Sequence, residues 1–367
     1  MSELPPSGSK HAARGRALAF ILVTLVLLAG AAAGGYYWLQ QQFIAPGPAK
    51  APLRIQVDPG TPVRGVLAQL SKQGALSNVR AVELYLRVRG LRPNVHFGMY
   101  EIPAQASPAQ ILEMFEQGRV VLEQLTVVEG STFAEFRREL DQHAAVTHTL
   151  TGKTAEQVMT ALGHPGEFPE GHFFPDTYRF AAKTKDTEIL TLAYNAMQKL
   201  METEWPQHSP GLPFDTPYQA LILASIVEKE TGVPDERQRV AGVFVTRLRK
   251  GMRLQTDPTV IYGLGESYDG NIHSRDLATD TPYNTYTRSG LPPTPICLPS
   301  RESVLAALHP ADNGEIYFVA TGNGGHHFSK TLEEHNEAVK AYLQHLRTQA
   351  NGAQKPAASL APATGAR

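Results

Sequence analysis

The 367-residue sequence predicts an α+β protein with three folded parts: a single N-terminal transmembrane helix, a small α+β module, and a larger mixed α/β domain built around a buried helix. Three observations predict this arrangement. An uncharged apolar stretch lies near the N-terminus, short strand-and-helix patterns recur after it, and a helix that is apolar on nearly every face follows later. A chain of this length has room for about two or three domains and a sizeable core.

Composition and charge narrow the classes of function. Hydrophobic residues make up 42% of the chain, which excludes a wholly disordered protein. The 34 Lys and Arg residues nearly balance the 35 Asp and Glu residues, so a nucleic-acid partner is not expected. The single cysteine, Cys297, excludes an intramolecular disulfide and a cysteine-rich zinc site. Beyond position 346 the chain is rich in Ala, Pro and Gly, and we predict a disordered tail over 347–367.

Residues 17–39 carry no charge and are long enough, at roughly 34 Å of helix, to cross a bilayer. Lys10, Arg14 and Arg16 precede this stretch, so the positive-inside rule predicts a cytoplasmic tail over 1–16 and an exported remainder. Two alternatives are a cleaved signal peptide, whose apolar region would normally be shorter, and a buried core helix.

A weak internal repeat follows a short linker over 40–51. Its three copies, Ile55–Leu70, Met99–Phe115 and Leu125–Leu140, each predict a short strand, a turn and an amphipathic helix. We therefore expect a small α+β module over 52–122, with a third copy beginning the next domain. The pattern is compatible with a structural adaptor and with a glycan-binding module, and spacing alone favours neither.

Helix starts in this repeat are indicated by capping residues. Thr61, Ser107 and Ser131 are predicted N-caps, and Pro62 and Pro108 suit the first helical position.

The larger domain is predicted over 123–346, and its most informative segment is one helix. Thr216 and Gln219 match a capping box at its start, and the residues that follow are apolar on nearly every face, which is typical of a buried helix. The helix ends with Glu228 and Glu230, where a helix C-terminus disfavours negative charge.

Burial and the helix end both raise the pKa of a carboxyl, and a raised pKa suits a general acid that works near neutral pH. Glu228 and Glu230 point about 200° apart around the helix axis, so we expect one to face a reaction site. The other is expected to pair with a basic residue such as Arg239 or Arg247. The alternative is an ordinary solvated helix end.

Polar loops rich in Tyr, Asn and Thr follow this helix and suit the apolar faces and hydroxyl edges of sugars. An ordinary turn-rich surface is the alternative, in which Asp257 is a turn residue and Tyr262 belongs to the core. The adjacent pair His326 and His327 lacks the spacing of a helical zinc site, so no metal ion or other cofactor is predicted. The candidate cleft residues outside the helix are Gln255, Asp257, Tyr262, Asn284, Thr285, Tyr286 and His326.

Several long motifs together resemble one family. ASIVEKE, RLQTDPTVIYGLG, YNTYTRSGLPPTPI and YFVATGNGGHHF occur in the order seen in the YceG-like endolytic murein transglycosylases. EGHFFPDTY resembles the start of that family's catalytic region, and VDPGT resembles its LysM-like subdomain. The similarity covers most of 52–346 together with the N-terminal helix. His327 departs from the family, which commonly shows GGH, another residue and then Phe, whereas His326 fits the common position.

The resemblance implies a peptidoglycan lyase. It would cut MurNAc–GlcNAc bonds within nascent glycan strands, leave 1,6-anhydroMurNAc ends and so terminate elongation. Glu230 corresponds to the family's catalytic acid, which then acts as the base, and Glu228 is the less expected catalyst. The resemblance further implies a single-pass protein of the inner membrane with a cytoplasmic N-terminus, a periplasmic catalytic domain, and penicillin-binding proteins of the cell-wall synthesis machinery as partners.

Three other functions stay open at this point. A non-catalytic, membrane-anchored peptidoglycan-binding scaffold would use the repeat module and would not need Glu230. A hydrolase of the same glycan would need a second carboxylate, for which Asp257 is the candidate. A metal-dependent amidase would cut peptide rather than sugar linkages.

Overall fold

A computed structural model of the chain describes residues 9–353. The chain divides into two compact units: the first extends to Glu123 and includes Phe180–Lys183, and the second comprises Gln124–Arg179 and the residues from Thr184 onward. Helices and strands are both present, so the predicted mixture of helix and sheet is confirmed. The outer parts of the two predicted tails, 1–8 and 354–367, lie outside the described residues.

The first unit contains four helices and two complete strands within its described part. β1 and β2 form an antiparallel pair in which Ile55 lies opposite Tyr100, and both side chains are fully buried. The ring of Tyr100 meets Phe115 edge-on with 4.5 Å between centroids, at the centre of this unit's core. The elements are α1 (Ser9–Ile44), β1 (Leu53–Val57), α2 (Val63–Lys72), α3 (Val79–Arg89), β2 (Gly98–Ile102) and α4 (Pro108–Glu116).

The second unit is mainly helical, with its strands in pairs. β3 pairs with β4, and β5 pairs antiparallel with β6, with Ala320 opposite His326. A short 3-10 turn, Pro234–Glu236, precedes α9. The elements from the unit boundary onward are β3 (Leu122–Thr126), α5 (Phe133–Gln142), α6 (Ala155–Ala161), β4 (Thr177–Ala181), α7 (Asp186–Glu204), α8 (Pro217–Glu230), α9 (Arg237–Arg249), α10 (Asp257–Leu264), α11 (Ser274–Ala278), α12 (Arg301–Leu308), β5 (Tyr317–Ala320), β6 (His326–Ser329) and α13 (Leu332–Ala353).

α1 is longer than the predicted transmembrane segment at both ends. In the described part of the chain it is the one helix long and apolar enough to cross a membrane, and none of its most apolar window is buried within the protein. The alternative of a buried core helix is therefore wrong. The helix continues into the predicted linker because Phe43 stacks on Tyr85 of α3, with 4.4 Å between ring centroids, and Leu39 is buried beside it.

Each copy of the repeat contains a strand followed by a helix, as predicted: β1 and α2, β2 and α4, β3 and α5. Ser107 caps α4 in a capping box, and Pro108 is its first residue. The other two predicted caps are wrong. The hydroxyls of Thr61 and Ser131 each donate to the carbonyl three residues earlier, so both belong to turns. Thr132 caps α5, and α2 has no side-chain cap.

α8 forms the centre of the second unit. Its capping box of Thr216 and Gln219 is present, and it packs against α9, α10 and α12. Eight consecutive residues from Ala220 to Val227 are buried, as the sequence pattern predicts, and the helix ends at Glu230. α13 ends at Ala353, so the first seven residues of the predicted disordered tail are helical. Residues 332–353 contain no proline, the residue type that would interrupt such a helix.

Candidate active site

Glu230, the last residue of α8, has its carboxyl in a cleft where five segments of the second unit meet. The cleft has a volume of about 290 Å³. Its wall is formed by the end of α8, by α9, by the chain leading into α10, by the loop after α11, and by the β5–β6 pair. The lining residues, which we call the Glu230 cleft, are Glu230, Phe244, Arg247, Leu254, Gln255, Asp257, Tyr286, Phe318, Val319, Ala320 and His326.

The hydroxyl of Thr256 donates a hydrogen bond to the carboxyl of Glu230. Thr256 is the extended N-cap residue of α10, and its own N–H donates to the hydroxyl of Thr285 at 3.0 Å. Gln255, the residue before it, has φ of 52°, in the left-handed region that non-glycine residues rarely adopt. This local backbone turns the Thr256 hydroxyl toward the end of α8.

The pKa of the Glu230 carboxyl is raised above its ordinary value. Burial is the main cause, because it disfavours the charged form, and the negative charge of Asp257 adds to it. The hydroxyl of Thr256 and the positive charges of His326 and Arg247 oppose the rise. The same group is thus biased toward its protonated form and is surrounded by groups that stabilise it once it loses its proton.

His326 is held in the cleft by Glu236, which ends the 3-10 turn before α9. The backbone N–H of His326 donates to one oxygen of Glu236 at 2.9 Å, and the ring Nδ1 lies 2.7 Å from the other. Partial burial alone would raise the pKa of Glu236, but these two hydrogen bonds, with the positive charge of Arg239 nearby, lower that pKa. An ionised carboxylate only accepts hydrogen bonds, so Nδ1 of His326 carries a proton.

Arg247 of α9 brings a buried positive charge to the cleft. Its guanidinium donates to the carbonyls of Ile316 and Leu254, each at 2.8 Å, and lies 3.4 Å from the side-chain oxygen of Gln255. Burial lowers the pKa of Arg247. Sequence reasoning did not place Arg247 or Glu236 in the cleft, because their partners are distant in the sequence and no local pattern marks them.

Asp257 and Tyr286 form another part of the cleft wall. The Tyr286 hydroxyl donates to Asp257 Oδ1 at 2.5 Å, which fixes the two side chains against each other. The pKa of Tyr286 is raised mainly by burial, and the hydrogen bond to Asp257 raises it further. Of the nine candidate residues named from the sequence, the structure brings Glu230, Gln255, Asp257, Tyr286 and His326 together in the cleft.

Comparison with known proteins decides the family. A model of the YceG-like family matches residues 55–341. An endolytic murein transglycosylase of Bacillus subtilis strain 168 is 30% identical over 80% of this chain and 86% of its own length. This chain belongs to the YceG-like family. The resemblance that the motifs indicated is therefore confirmed.

Two further relatives support the same family. The endolytic murein transglycosylase of Streptococcus pneumoniae serotype 2 strain D39 is 26% identical over 89% of this chain and 65% of the relative. The crystal structure of a YceG-like protein from Listeria monocytogenes superposes with a TM-score of 0.50 at 27% identity, and covers 79% of this chain and 99% of that one.

In this YceG-like protein, four of the candidate residues do not line the cleft. Glu228 accepts hydrogen bonds from the N–H, at 2.9 Å, and the hydroxyl of Ser300, the N-cap of α12. The predicted pairing of one glutamate with Arg239 or Arg247 is wrong, because Arg239 binds Glu315 at 2.6 Å and Arg247 binds carbonyls. Glu228 therefore joins α8 to α12.

The other three candidates outside the cleft support its walls. Asn284 is fully buried and its amide donates to the carbonyls of Asp276, Leu277 and Thr279. The hydroxyl of Thr285 accepts the hydrogen bond from the N–H of Thr256. Tyr262 packs its ring edge against Tyr283 at 5.0 Å and donates its hydroxyl to Glu170 at 3.0 Å.

Within residues 9–353, the one group of side chains close enough to share a metal ion is Asp141, His148 and Asp186, outside the Glu230 cleft. Both oxygens of Asp186 already accept hydrogen bonds, from the N–H and hydroxyl of Thr149 and the N–H of Leu150 among others. These donors compete with a cation for the same lone pairs, and the absence of a metal cofactor stays a prediction.

Proposed function

We propose that this chain is an endolytic peptidoglycan lytic transglycosylase and that Glu230 is its single acid/base group. The observation that carries the proposal is the buried carboxyl of Glu230, with its raised pKa, at the end of a helix in a cleft of a YceG-like protein. Endolytic murein transglycosylase is the name of the Bacillus subtilis and Streptococcus pneumoniae relatives. The substrate is the glycan strand of peptidoglycan.

In the first step, protonated Glu230 donates its proton to the oxygen that links MurNAc C1 to GlcNAc, and that C1–O bond breaks. Burial raises the pKa of Glu230 and so favours the protonated acid that this step requires. The leaving sugar departs as an alcohol, and positive charge develops on C1 and the ring oxygen. The carboxylate of Asp257, which also lines the cleft, favours this charge electrostatically.

In the second step, the 6-hydroxyl of the same MurNAc attacks C1, and ionised Glu230 takes the hydroxyl proton. The products are a GlcNAc end and a 1,6-anhydroMurNAc end, and no water is consumed. The attack is intramolecular and therefore gains from proximity. The Thr256 hydroxyl, His326 and Arg247 stabilise the ionised carboxylate between the steps, which makes one glutamate sufficient for both proton transfers.

The surroundings of the cleft suit cleavage within a strand. At Ala320 the Glu230 cleft adjoins a second cavity of about 440 Å³, lined by the end of β5, by His327 and by Glu334, Glu337 and Tyr342 of α13. An enzyme that cuts inside a polymer must hold sugars on both sides of the scissile bond. We assign this second cavity to sugars on one side of that bond.

We further propose that α1 anchors the protein in the inner membrane with its N-terminus in the cytoplasm. The length and apolar surface of α1 support the anchor, and Lys10, Arg14 and Arg16, near the start of α1, support this orientation. The catalytic unit then faces the periplasm, where nascent strands and penicillin-binding proteins are located, and the family resemblance supports these as partners. Termination of strand elongation follows from cutting a nascent strand.

The test is mass spectrometry of the products that the purified full-length protein makes from uncrosslinked glycan strands in water enriched in oxygen-18. Internal fragments that end in 1,6-anhydroMurNAc and carry no heavy oxygen are expected. Reducing ends that contain heavy oxygen would show that the protein is a hydrolase, with Asp257 as the candidate for its second carboxylate. Absence of any cleavage would favour the binding scaffold and overturn the enzymatic proposal.

Replacing Thr256 with Val removes the hydroxyl that donates to Glu230 and keeps the shape of the side chain. The pKa of Glu230 should rise further, because this hydrogen bond lowers it in the wild type. We expect the alkaline limb of the pH profile of kcat/KM to move to higher pH and kcat to fall about tenfold. Thr191→Val, at an exposed position on α7 whose hydroxyl binds its own helix, is the matched control. An unchanged alkaline limb would contradict the role of Thr256.

Replacing Glu236 with Gln keeps the shape of the partner that holds His326 and places an amide N–H where the carboxylate accepts from Nδ1. Nδ1 must then accept, which fixes the other ring tautomer and changes which ring nitrogen can donate. We expect kcat/KM to fall about tenfold while the unfolding temperature stays near that of the wild type. Unaltered kcat/KM over the whole pH range would show that Glu236 only supports the fold.

A further inference from the structure

α3 presents an apolar strip to the outside of the first unit. Leu84 is 47% exposed and Val88 is 56% exposed, and they lie one turn apart on the same face. Leu91, 46% exposed, follows just past the helix end at Gly90. These large apolar side chains lie apart from the core of the unit, toward which α3 directs Val82 and Leu86.

Basic residues border this strip. Arg80 lies four residues before Leu84 and Arg87 lies three residues after it, so both flank the same face, and both are exposed. Arg92 is exposed directly after Leu91. The one acidic residue of α3, Glu83, lies 3.4 Å from Arg64 of α2 in an ion pair. An apolar strip with a basic border is typical of helices that lie in the headgroup region of a membrane.

α3 is attached to the end of α1 that would leave the membrane. Ala81 and Tyr85 are buried against Leu39, and Tyr85 stacks between Tyr36 and Phe43. Arg89 donates to the hydroxyl of Tyr36 at 3.3 Å.

These contacts also fix the depth of α3. Tyr36, Tyr37 and Trp38 end the apolar segment of α1, where tyrosine and tryptophan prefer the membrane interface. Phe43 lies only about 8 Å further along the helix axis. α3 therefore lies level with the interface.

We infer that the strip of Leu84, Val88 and Leu91 inserts into the outer surface of the bilayer that α1 spans, and that Arg80, Arg87 and Arg92 bind its anionic phospholipid headgroups. This inference rests on the membrane anchoring proposed above, and it adds a second, peripheral contact between the first unit and the lipid. The strip and the tyrosines of α1 together form one continuous interfacial surface. The first unit is thereby held at the membrane surface by α3 as well as by α1.

The test measures the depth of single positions in the full-length protein, reconstituted in nanodiscs of phosphatidylethanolamine and phosphatidylglycerol. Val88→Cys, Leu25→Cys and Lys72→Cys are each labelled with an environment-sensitive fluorophore. Leu25 lies within the apolar segment of α1, and Lys72 lies exposed at the end of α2. Cys297 is fully buried, so the wild type serves as the labelling blank.

The label at Val88 is expected to show a blue-shifted emission and loss of quenching by aqueous iodide, as at Leu25, whereas the label at Lys72 is fully quenched. A Val88 label as accessible to iodide as the Lys72 label, with Leu25 protected, overturns the insertion and leaves the anchor intact. An accessible Leu25 label overturns both. Neither result depends on product formation, so the enzymatic proposal is tested separately.

A second variant tests the basic border. Arg80→Glu combined with Arg87→Glu, in the Val88→Cys background, is expected to restore iodide quenching partly, because reversed charges repel anionic headgroups. The same protein in nanodiscs of phosphatidylcholine alone is expected to show a smaller effect of the two substitutions. Protection at Val88 that is unchanged by charge reversal in anionic nanodiscs would overturn the headgroup contact.

Discussion

Glu230→Gln is expected to remove almost all formation of anhydro ends and to leave the fold intact. The amide can neither donate the proton that the glycosidic oxygen needs nor accept the proton of the 6-hydroxyl. Its oxygen can still accept from the Thr256 hydroxyl, so the end of α8 keeps its partner. We expect the rate of product formation, followed by mass spectrometry of isolated strands, to fall about 10³-fold, since both proton transfers are lost.

Glu228→Gln is the matched control, because Glu228 lies two residues earlier on the same helix. Both hydrogen bonds from Ser300 go to one oxygen of Glu228, and the amide oxygen can accept both. Turnover is therefore expected to stay within about threefold of the wild type. If Glu228→Gln is inactive and Glu230→Gln is active, the acid is Glu228, and the proposed mechanism fails. If both variants turn over normally, neither glutamate is the acid.

The sequence predicts α8 and its terminal glutamates well because the information there is local. The capping box of Thr216 and Gln219 fixes the start of the helix, and the continuous apolar run indicates burial without knowledge of the neighbours. The polar loops that follow α8 add Gln255, Asp257, Tyr286 and His326, all of which line the cleft. Patterns that are satisfied within a few residues can thus be recognised from the sequence.

The residues that sequence reasoning missed or misplaced depend on contacts between distant segments. Glu236 meets His326 across 90 residues, and Glu228 meets Ser300 across 72. Nothing in the composition of either segment shows that these side chains meet. Asn284 was taken for a sugar ligand because amides suit sugars, but a buried amide is equally suited to bind backbone carbonyls, and only the fold distinguishes the two.

The length of α1 illustrates the same limit in the fold. Local propensity does not decide whether a helix stops at the edge of its apolar stretch or continues. The contact of Phe43 with Tyr85 decides it here, and that contact is formed only when α3 has folded.

The largest stability effect is expected at Glu170, a carboxyl of the second unit that is only 3% exposed. Burial is the main reason why the pKa of Glu170 is raised from 4.5 to about 7, although hydrogen bonds from the Phe133 N–H, at 2.8 Å, and the Tyr262 hydroxyl oppose it. The folded protein binds the Glu170 proton more tightly than the unfolded chain does, so protonation of Glu170 stabilises the fold. This contribution to the free energy of unfolding is fully present below about pH 4.5 and is lost as the pH rises through about 7, a loss of up to about 3 kcal/mol.

Glu170→Gln should remove this pH dependence, because the amide reproduces the protonated acid. Its oxygen accepts from the Phe133 N–H, and its N–H group donates to the Tyr262 hydroxyl, which rotates to accept. The free energy of unfolding of the full-length variant in detergent should exceed that of the wild type by about 2–3 kcal/mol at pH 8 and match it near pH 4.5. Urea titrations at a series of pH values measure the difference.

Glu139→Gln, at an exposed position of α5, is the control and should leave a constant difference at every pH. Parallel curves for Glu170→Gln and the wild type between pH 5 and pH 8 would show that Glu170 ionises in the folded state without penalty.

Glu170 connects the first N–H of α5 to Tyr262 of α10, and α10 begins at Asp257 in the Glu230 cleft. Because an ionised Glu170 is a buried charge that destabilises the fold at this point, the variant should also keep its activity at alkaline pH to a higher temperature than the wild type.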